Sequence, residues 1–272
     1  MTNEKIIVPT MAEMLAKGES PDILFWVGCS GSFDDRSKKI TKAIVRILNH
    51  VNIKFAILGT EESCTGDPAK RAGNEFLFQM QAFQNISVMN GYNVKKIVTG
   101  CPHCFNTLKN EYPELGGKYE VIHHTQLVQQ LIDEGKLKVQ GGVFKGKKIV
   151  YHDPCYLGRA NDIYEAPREV IKKLDVELSE MKRSRANGLC CGAGGAQMFK
   201  EAEKASPNRD GRGNKEVNVE RAGEALNLNP DIIAVGCPFC NTMMTDGVKH
   251  FNKEDKTKVL DVAELIVTAN DL

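Results

Sequence analysis

The nine cysteines of this 272-residue chain fall into two sets with matching spacing. The first set is Cys29, Cys64, Cys101 and Cys104, and the second set is Cys155, Cys190, Cys191, Cys237 and Cys240. In both sets 34 residues lie between the first two members (30 to 63 and 156 to 189), and both sets end in a C-P-x-C motif. The repeated spacing predicts an internal duplication with one thiolate site in each copy.

Each C-P-x-C motif follows an apolar, strand-like run and precedes a helical pattern, and this arrangement suits metal binding. Proline fits the first turn of a helix. Free N–H groups at a helix start can donate to thiolate or sulfide, which lowers the cost of gathering negative charge. For a single motif, a thioredoxin-like redox pair or a pair of core cysteines would be an alternative. Two motifs with matched upstream cysteines favour ligation of a metal centre.

The number of thiolates limits the identity of that centre. Four thiolates, as in the first set, can form a closed zinc site. The second set holds five, one more than a zinc ion or a cubane four-iron cluster takes. Five thiolates, with Cys190 next to Cys191, favour a larger or more open iron–sulfur cluster, and Gly192, Gly194 and Gly195 would let the backbone pass close to it. The alternative is a structural zinc protein with no redox activity.

Strands alternate with helices around both cysteine sets. The predicted strands are 23–27, 54–58, 96–99 and the start of 119–132 in the first copy, and 148–151, 177–181, 232–235 and the start of 259–269 in the second. Helices are predicted after Cys29, after each C-P-x-C motif, at the ends of the two closing segments, and over 72–89, 167–174 and 219–226. This order predicts an α/β fold of two homologous Rossmann-like α/β domains with parallel sheets, related by internal duplication.

The glycine- and lysine-rich segment 135–148 predicts the boundary between the two copies. We therefore expect a first cysteine-rich domain over 1–140 and a second over 141–272. A second polar segment, 203–216, is rich in glycine and charge and is predicted to be a surface insertion.

Composition excludes several classes of protein. With 36 Lys and Arg against 35 Asp and Glu and no basic stripe, we expect no nucleic-acid partner. The first 20 residues lack the features of a secretory signal, and no window of about 18 consecutive apolar residues occurs. We expect a cytoplasmic protein whose membrane association, if any, comes through a partner subunit.

The cysteine pattern resembles the CCG cysteine-rich family, which includes the catalytic subunits of heterodisulfide reductase. The resemblance rests on Cys155, Cys190-Cys191-Gly192 and Cys237-Pro-Phe-Cys240, with a related set in the first copy, and it is greatest to the D-type subunit and bacterial iron–sulfur oxidoreductases. It implies that the five cysteines of the second set bind a non-cubane 4Fe-4S cluster. It also implies a subunit that reduces disulfides or transfers electrons between a flavoprotein and a quinone or thiol system.

The resemblance implies partners as well: a ferredoxin-like or haem-bearing membrane electron-transfer subunit, and a flavoprotein. The first copy departs from the family pattern in the sequence ESCTGD, where we expect Ser63 to stand in place of the first member of the Cys-Cys pair. A four-thiolate iron–sulfur cluster, a zinc ion or an empty site are the alternatives for the first copy.

Several polar side chains near the motifs offer further chemistry. His103, inside the first C-P-x-C motif, could be a ligand, a proton donor or a polar loop residue. His152 and Asp153 could hold the Cys155 loop or supply protons to a reduced thiolate. Three arginines could offset an anionic cluster, bind an acidic thiol substrate or simply face solvent: Arg159, Arg183 and Arg185.

Two further groups are expected to be structural. Of His123 and His124, which end a predicted strand, we expect only one to face the core. Four apolar residues of the predicted 72–89 helix are expected to face the core: Phe76, Phe78, Met80 and Phe83.

Overall fold

A computed structural model describes residues 6–140, 142–200 and 216–272. The strands of the first copy are β1 (Ile23–Trp26), β2 (Phe55–Ala56), β3 (Lys96–Thr99) and β4 (Glu120–His123), and those of the second copy are β5 (Lys148–Tyr151), β6 (Glu177–Ser179), β7 (Ile232–Val235) and β8 (Lys258–Asp261). They form two parallel four-stranded sheets with the matching orders β2-β1-β3-β4 and β6-β5-β7-β8. The predicted α/β fold with two Rossmann-like sheets is confirmed.

Helices connect the strands throughout the described residues. Those of the first copy are α1 (Met11–Ala16), α2 (Gly28–Phe33), α3 (Asp35–His50), α4 (Asp67–Arg71), α5 (Glu75–Gly91), α6 (Pro102–Asn106) and α7 (His124–Asp133). Those of the second copy are α8 (Glu165–Lys172), α9 (Val217–Leu226), α10 (Pro238–His250) and α11 (Val262–Ala269). Among the described residues, no helix has the length and apolar character needed to span a bilayer.

Most predicted elements lie where the sequence pattern indicates, and the differences are at their ends. The bounds of β3, β5 and β7 coincide with the predicted ones. Helix α5 begins at Glu75 instead of residue 72, because the side chain of Asn74 accepts the Leu77 N–H at 3.0 Å and caps the helix there. The segment 203–216 lies, apart from Glu216, outside the described residues.

The central strands are apolar along their whole length because both faces of each sheet are buried. In β1, Leu24 and Trp26 belong to one core cluster, whereas Ile23 and Phe25 belong to the other. Both clusters include residues of both copies, such as Val150 in the first and Ile149 in the second. The two copies therefore share their cores.

The prediction for the apolar residues of α5 is wrong for three of the four. Phe78 is buried, but Phe76, Met80 and Phe83 are 76%, 54% and 52% exposed. The helix is apolar on both sides, so its sequence pattern does not show which side packs. The buried residues include Phe78, Ala82 and Met89, and the three exposed ones lie on the opposite stripe.

The expectation that only one of the two adjacent histidines faces the core is also wrong. His123 caps α7, with its Nδ1 atom 2.8 Å from the Thr125 hydroxyl, and is 0% exposed. His124 is 1% exposed, because its Nε2 atom lies 2.9 Å from Oδ1 of Asp261 in the other copy. Contact between the copies therefore buries the second histidine.

Candidate metal centre

The parallel sheets bring the cysteines of each set together at the carboxyl ends of the strands. Cys29 and Cys155 follow the central strands β1 and β5, and Cys101 and Cys237 follow β3 and β7 and cap helices α6 and α10. In open parallel sheets, this edge is where ligands bind. The remaining cysteines lie in the first turns of α6 and α10 (Cys104 and Cys240) and on the loops after the edge strands β2 and β6 (Cys64, Cys190 and Cys191).

The five thiols of the second set form one connected group. The Sγ atoms of Cys155 and Cys190 are 3.9 Å apart, and those of Cys191 and Cys240 are 3.4 Å apart. Cys237 is in the same group, since its thiol interacts with that of Cys240, lowering the pKa of Cys237 and raising that of Cys240. The adjacent Cys190 and Cys191 therefore reach different partners on two sides of one site.

The loop backbone also faces the second site. The Gly192 N–H donates to the Sγ atom of Cys190 at 3.3 Å. Gly192 has a φ of +92°, which favours glycine, and a Cβ atom there would lie 3.2 Å from Cβ of Val217. The glycine therefore allows the tight turn that aims a backbone donor at sulfur.

The first copy repeats this geometry with one thiol fewer. The Gly66 N–H donates to the Sγ atom of Cys64 at 3.5 Å, and Gly66 has a φ of +88°. The Thr65 hydroxyl lies 3.9 Å from the Sγ atom of Cys104, just as Cys191 lies beside Cys240. Cys64 and Gly66 therefore correspond to Cys190 and Gly192.

Thr65, and not Ser63, stands where the complete motif has its second adjacent cysteine. The expectation for Ser63 is wrong, because the spacing of 34 residues aligns Cys64 with Cys190, which leaves Cys191 opposite Thr65. The Ser63 hydroxyl donates to Oδ1 of the buried Asn85 at 3.0 Å. This hydrogen bond attaches Ser63, and with it the Cys64 loop, to helix α5.

The acidities of the thiols are consistent with sites that gather negative charge. A hydrogen bond from Cys29 is the main cause that lowers the pKa of Cys64, to about 7. Hydrogen bonds from Cys155 and Cys191 likewise lower the pKa of Cys190. The pKa of Cys191 is raised to about 12, first by its hydrogen bond to Cys190. Since one thiolate raises the pKa of the next, full ionisation of either set requires a bound cation or cluster.

The two sites adjoin across the boundary between the copies. The thiols of Cys101 in the first set and Cys237 in the second interact with each other, which lowers the pKa of Cys101 and raises that of Cys237. The ring of His103, from the first copy, lies 4.4 Å from that of Tyr156 and 5.2 Å from that of Phe239 in the second copy. The structure thus places His103 between the sites.

A carboxylate holds His103 in that position. Its Nδ1 atom lies 2.9 Å from Oδ2 of Asp67 at the start of α4. Burial by itself would lower the pKa of His103, but the hydrogen bond with Asp67 and the nearby Cys101 thiolate raise it.

The polar residues expected beside Cys155 have different surroundings. Asp153 binds both Nη atoms of Arg168, at 2.7 and 2.9 Å, and accepts the Arg185 N–H at 2.8 Å, so it holds the loop. His152 is 0% exposed, and burial lowers its pKa to about 3. A ring nitrogen of His152 lies within 4.8 Å of the Sγ atoms of Cys191 and Cys240. His152, and not Asp153, therefore faces the thiols.

The three arginines expected near the second motif are bound to other protein groups. Arg159 donates to the Gly188 carbonyl, Arg183 pairs with Glu220 and Glu224, and Arg185 pairs with Glu165. Sequence reasoning missed the two buried arginines, Arg168 and Arg221, which are 1% and 0% exposed. The sequence signal for such a residue is an arginine at a core-facing position of an amphipathic helix, and this applies to Arg168 in α8 and to Arg221 in α9.

Buried donors provide a test of whether the sites fit an iron–sulfur cluster. Among the described residues, Nε1 of Trp26 and Nε2 of His152 are buried and have no hydrogen-bond partner. An unsatisfied buried donor costs about 1–3 kcal/mol, so such atoms need an acceptor. The ring of His152 lies beside the thiols of Cys191 and Cys240, where sulfide or thiolate would supply its acceptor, and Trp26 stands at the equivalent position of the first copy, three residues before Cys29. The donor set therefore fits a sulfur-rich centre.

A parallel two-copy α/β fold with thiols at the strand ends defines a cysteine-rich, metal-binding class of protein. A family model described as "Cysteine-rich domain", CCG, matches residues 23–109 and 149–245. The chain therefore belongs to the CCG cysteine-rich domain family.

Several proteins of similar sequence are named as redox proteins. The chain is 47% identical over 260 residues to the "Probable iron-sulfur-binding oxidoreductase FadF" of Bacillus subtilis, covering 95% of this chain and 35% of that protein. It is 46% identical to the "EtfAB:quinone oxidoreductase" of Syntrophomonas wolfei, covering 92% and 34%. It is 34% identical to the D-type subunit of the "Dihydromethanophenazine:CoB--CoM heterodisulfide reductase" of Methanosarcina barkeri, covering 92% and 59%. The chain thus spans about a third of the length of the first two relatives.

A solved structure shows the same fold without close sequence similarity. A "hypothetical protein from Helicobacter pylori" has a TM-score of 0.58 and 8% identity, covering 92% of this chain and 49% of that one. This likeness concerns the fold alone.

Proposed function

We propose that the chain is an iron–sulfur oxidoreductase subunit whose second cysteine set binds a non-cubane 4Fe-4S cluster. The observation that carries this proposal is the split of the adjacent cysteines, with Cys190 beside Cys155 and Cys191 beside Cys240. One tetrahedral ion uses four ligands around a single centre. Five thiols on two sides of a site suit a centre made of two joined iron–sulfur units.

The arrangement of the first set favours a second cluster over zinc. Within the described part of the chain, the only group with three or more ligand atoms within 4.8 Å of one another is His152, Cys191 and Cys240. The four thiols of the first set are therefore spaced more widely than a single ion would hold them. We propose that they bind a four-thiolate iron–sulfur cluster.

The function supported best is electron transfer between a flavoprotein and a quinone system. An iron–sulfur cluster supplies one-electron chemistry, so a reduced flavoprotein would give up its two electrons singly, and a quinone would take up two electrons and two protons to form the quinol. Support comes from the relative in Syntrophomonas wolfei, which is named an "EtfAB:quinone oxidoreductase", whereas the name of the Bacillus subtilis relative supports only an iron–sulfur oxidoreductase. The sulfur contact between Cys101 and Cys237 gives electrons a short path between the two sites.

The partners follow from the same proposal. They are a flavoprotein as electron donor and a ferredoxin-like or haem-bearing membrane subunit that passes electrons to the quinone. A relative in Chromohalobacter salexigens, 38% identical, is named a "Probable membrane-anchored ferredoxin". The chain would then work on the cytoplasmic side of a membrane and be held there by its partner.

Disulfide reduction is a second candidate, favoured by the partial exposure of the second site. Cys155 and Cys190 are half-buried, whereas the other three thiols of the set are buried, so a substrate sulfur could approach on that side. Reduction of a disulfide to two thiols would consume two electrons and two protons, with the electrons supplied by the reduced partner. Change of the cluster's spectrum on addition of a thiol or disulfide would distinguish this function from electron relay.

Metal content tests the proposal directly. Iron, zinc and acid-labile sulfide are measured per chain in anaerobically purified protein, in Cys191→Ser and in the matched variant Cys64→Ser. We expect Cys191→Ser to lose about four irons with their sulfide and Cys64→Ser to lose only first-site iron. Zinc without sulfide in the wild-type protein would contradict the proposal and leave a structural zinc protein.

A further inference from the structure

Trp26 and His152 occupy the same position in the two copies. Each lies three residues before the first cysteine of its set, directly at the end of the central strand. Trp26 pairs with Thr99 on β3, and the His152 N–H donates to the Ala234 carbonyl of β7 at 2.9 Å. Both side chains are 0% exposed, and each has a ring nitrogen without a partner. The fold thus leaves one unsatisfied ring nitrogen at the end of each of these two central strands, and the ring of His152 lies beside the thiols of its site.

Arg221 determines which nitrogen of His152 carries the proton. The Nε atom of Arg221 lies 3.0 Å from Nδ1 of His152. An arginine can only donate, so Nδ1 must be the acceptor and the proton of the neutral ring must be on Nε2. Arg221 is itself fixed, since its Nη1 atom donates to the Arg183 carbonyl at 2.7 Å and to Glu224 at 3.0 Å. The free Nε2 atom is therefore a hydrogen-bond donor.

We propose that His152, oriented by Arg221, donates a hydrogen bond from Nε2 to the sulfur atoms of the second-site cluster and raises the reduction potential of that cluster. The inference rests on the proposed function. It is supported by the short separation of the ring from the Sγ atoms of Cys191 and Cys240. Arg221 is a positioning residue, because it acts on the site only through His152.

Coordination of iron by His152 is the competing role, and the structure disfavours it. A ligand nitrogen must offer a lone pair, but the lone pair of the neutral ring is on Nδ1 and accepts from Arg221. The sign of the effect on the potential follows from charge. A reduced cluster carries one more negative charge than the oxidised cluster, so a donated hydrogen bond stabilises the reduced state more.

The experiment compares wild-type protein with His152→Leu, which removes the donor, and with His152→Gln, which retains a side-chain N–H. The second-site potential is read by redox titration with electron paramagnetic resonance. We expect His152→Leu to keep its iron and to shift the reduced-to-oxidised equilibrium about tenfold, equivalent to about 59 mV toward more negative potential. His152→Gln should recover most of the shift. Trp26→Phe, which removes the corresponding N–H in the first copy, should move the first-site signal instead.

A measurement on wild-type protein keeps the test independent of folding in the variants. Electron spin-echo modulation of the paramagnetic cluster should show weak coupling to a hydrogen-bonded ring nitrogen. Strong coupling, typical of a coordinated nitrogen, would overturn the inference, as would an unchanged potential in His152→Leu or the loss of second-site iron in both variants. Absence of iron and sulfide from the wild-type protein would instead contradict the proposed function.

Discussion

The hydroxyl of Thr65 lies 3.9 Å from the Sγ atom of Cys104, and the Sγ atom of Cys191 lies 3.4 Å from that of Cys240. At the scale of single residues, this is the clearest difference between the two sites. The flanking glycines, Gly66 and Gly192, share their backbone conformation and their N–H donation to sulfur. One side chain therefore separates a four-thiolate site from a five-thiolate site on the same backbone.

Thr65→Cys should complete the first thiolate set. The new thiol would replace a hydroxyl that already faces Cys104 and is 2% exposed, so little rearrangement is needed. We expect the first-site signal in electron paramagnetic resonance to become similar to that of the second site. Ser63→Cys is the matched control and should leave that signal unchanged, because residue 63 faces Asn85. If Ser63→Cys changed the first-site signal and Thr65→Cys did not, residue 63 would be the position of the missing ligand.

At the scale of secondary-structure elements, α5 has two apolar faces with different roles. Phe78 packs against Gly66 of the first site. A Cβ atom added to Gly66 would lie 2.7 Å from the Phe78 ring. Asn85, on the same side, donates to the Cys64 carbonyl at 3.0 Å and to the Tyr112 hydroxyl at 3.1 Å. This face positions the Cys64 loop. The other face, with Phe76, Met80 and Phe83, is exposed.

Truncation on the two faces of α5 should therefore have different costs. Phe78→Ala removes a side chain that is 2% exposed, and we expect it to lower the free energy of unfolding by about 3–5 kcal/mol. Phe83→Ala, at a position that is 52% exposed, should change it by less than about 1 kcal/mol. Denaturant unfolding of both variants measures the difference. Equal losses would mean that the exposed face is packed in the folded protein.

At the scale of the whole molecule, the two copies are joined by a shared core and by polar contacts of different burial. His124 and Asp261 form a fully buried contact at 2.9 Å. Arg36 and Glu264 form a contact at 2.6 Å whose side chains are 25% and 14% exposed. Arg36 also donates to the Val259 carbonyl at 3.0 Å. These contacts hold together the two copies, whose cysteine sites adjoin at Cys101 and Cys237.

His124→Leu should destabilise both copies together. It removes the hydrogen bond between His124 and the buried carboxylate of Asp261, whose Oδ1 atom keeps only the Ala263 N–H, and a hydrogen bond to a charged group contributes about 1.5–3 kcal/mol. Arg36→Met removes the more exposed contact and should cost about 1 kcal/mol or less. Thermal unfolding followed by circular dichroism should show one transition in each variant, since both copies share their cores. Two separated transitions in His124→Leu would show that the copies unfold independently.

The sequence by itself determined the duplication, the parallel α/β fold and the two thiolate sets. Strands buried on both faces are apolar throughout, so β3, β5 and β7 could be predicted with their bounds. The C-P-x-C motifs directly follow β3 and β7, so the position of the thiols at the strand ends follows from the same pattern. These features depend on residues that are close in the sequence.

Only the tertiary structure decided which side chains meet across the sheets and between the copies. It showed that Thr65 replaces the missing cysteine, that Phe83 faces outward, and that His124 is buried by Asp261. It also placed Arg221 on His152, 69 residues away along the chain. The physical reason is that hydrogen bonds and burial depend on distance in space. A local pattern specifies which elements form, but the partners of a buried polar atom come from whichever element packs against it.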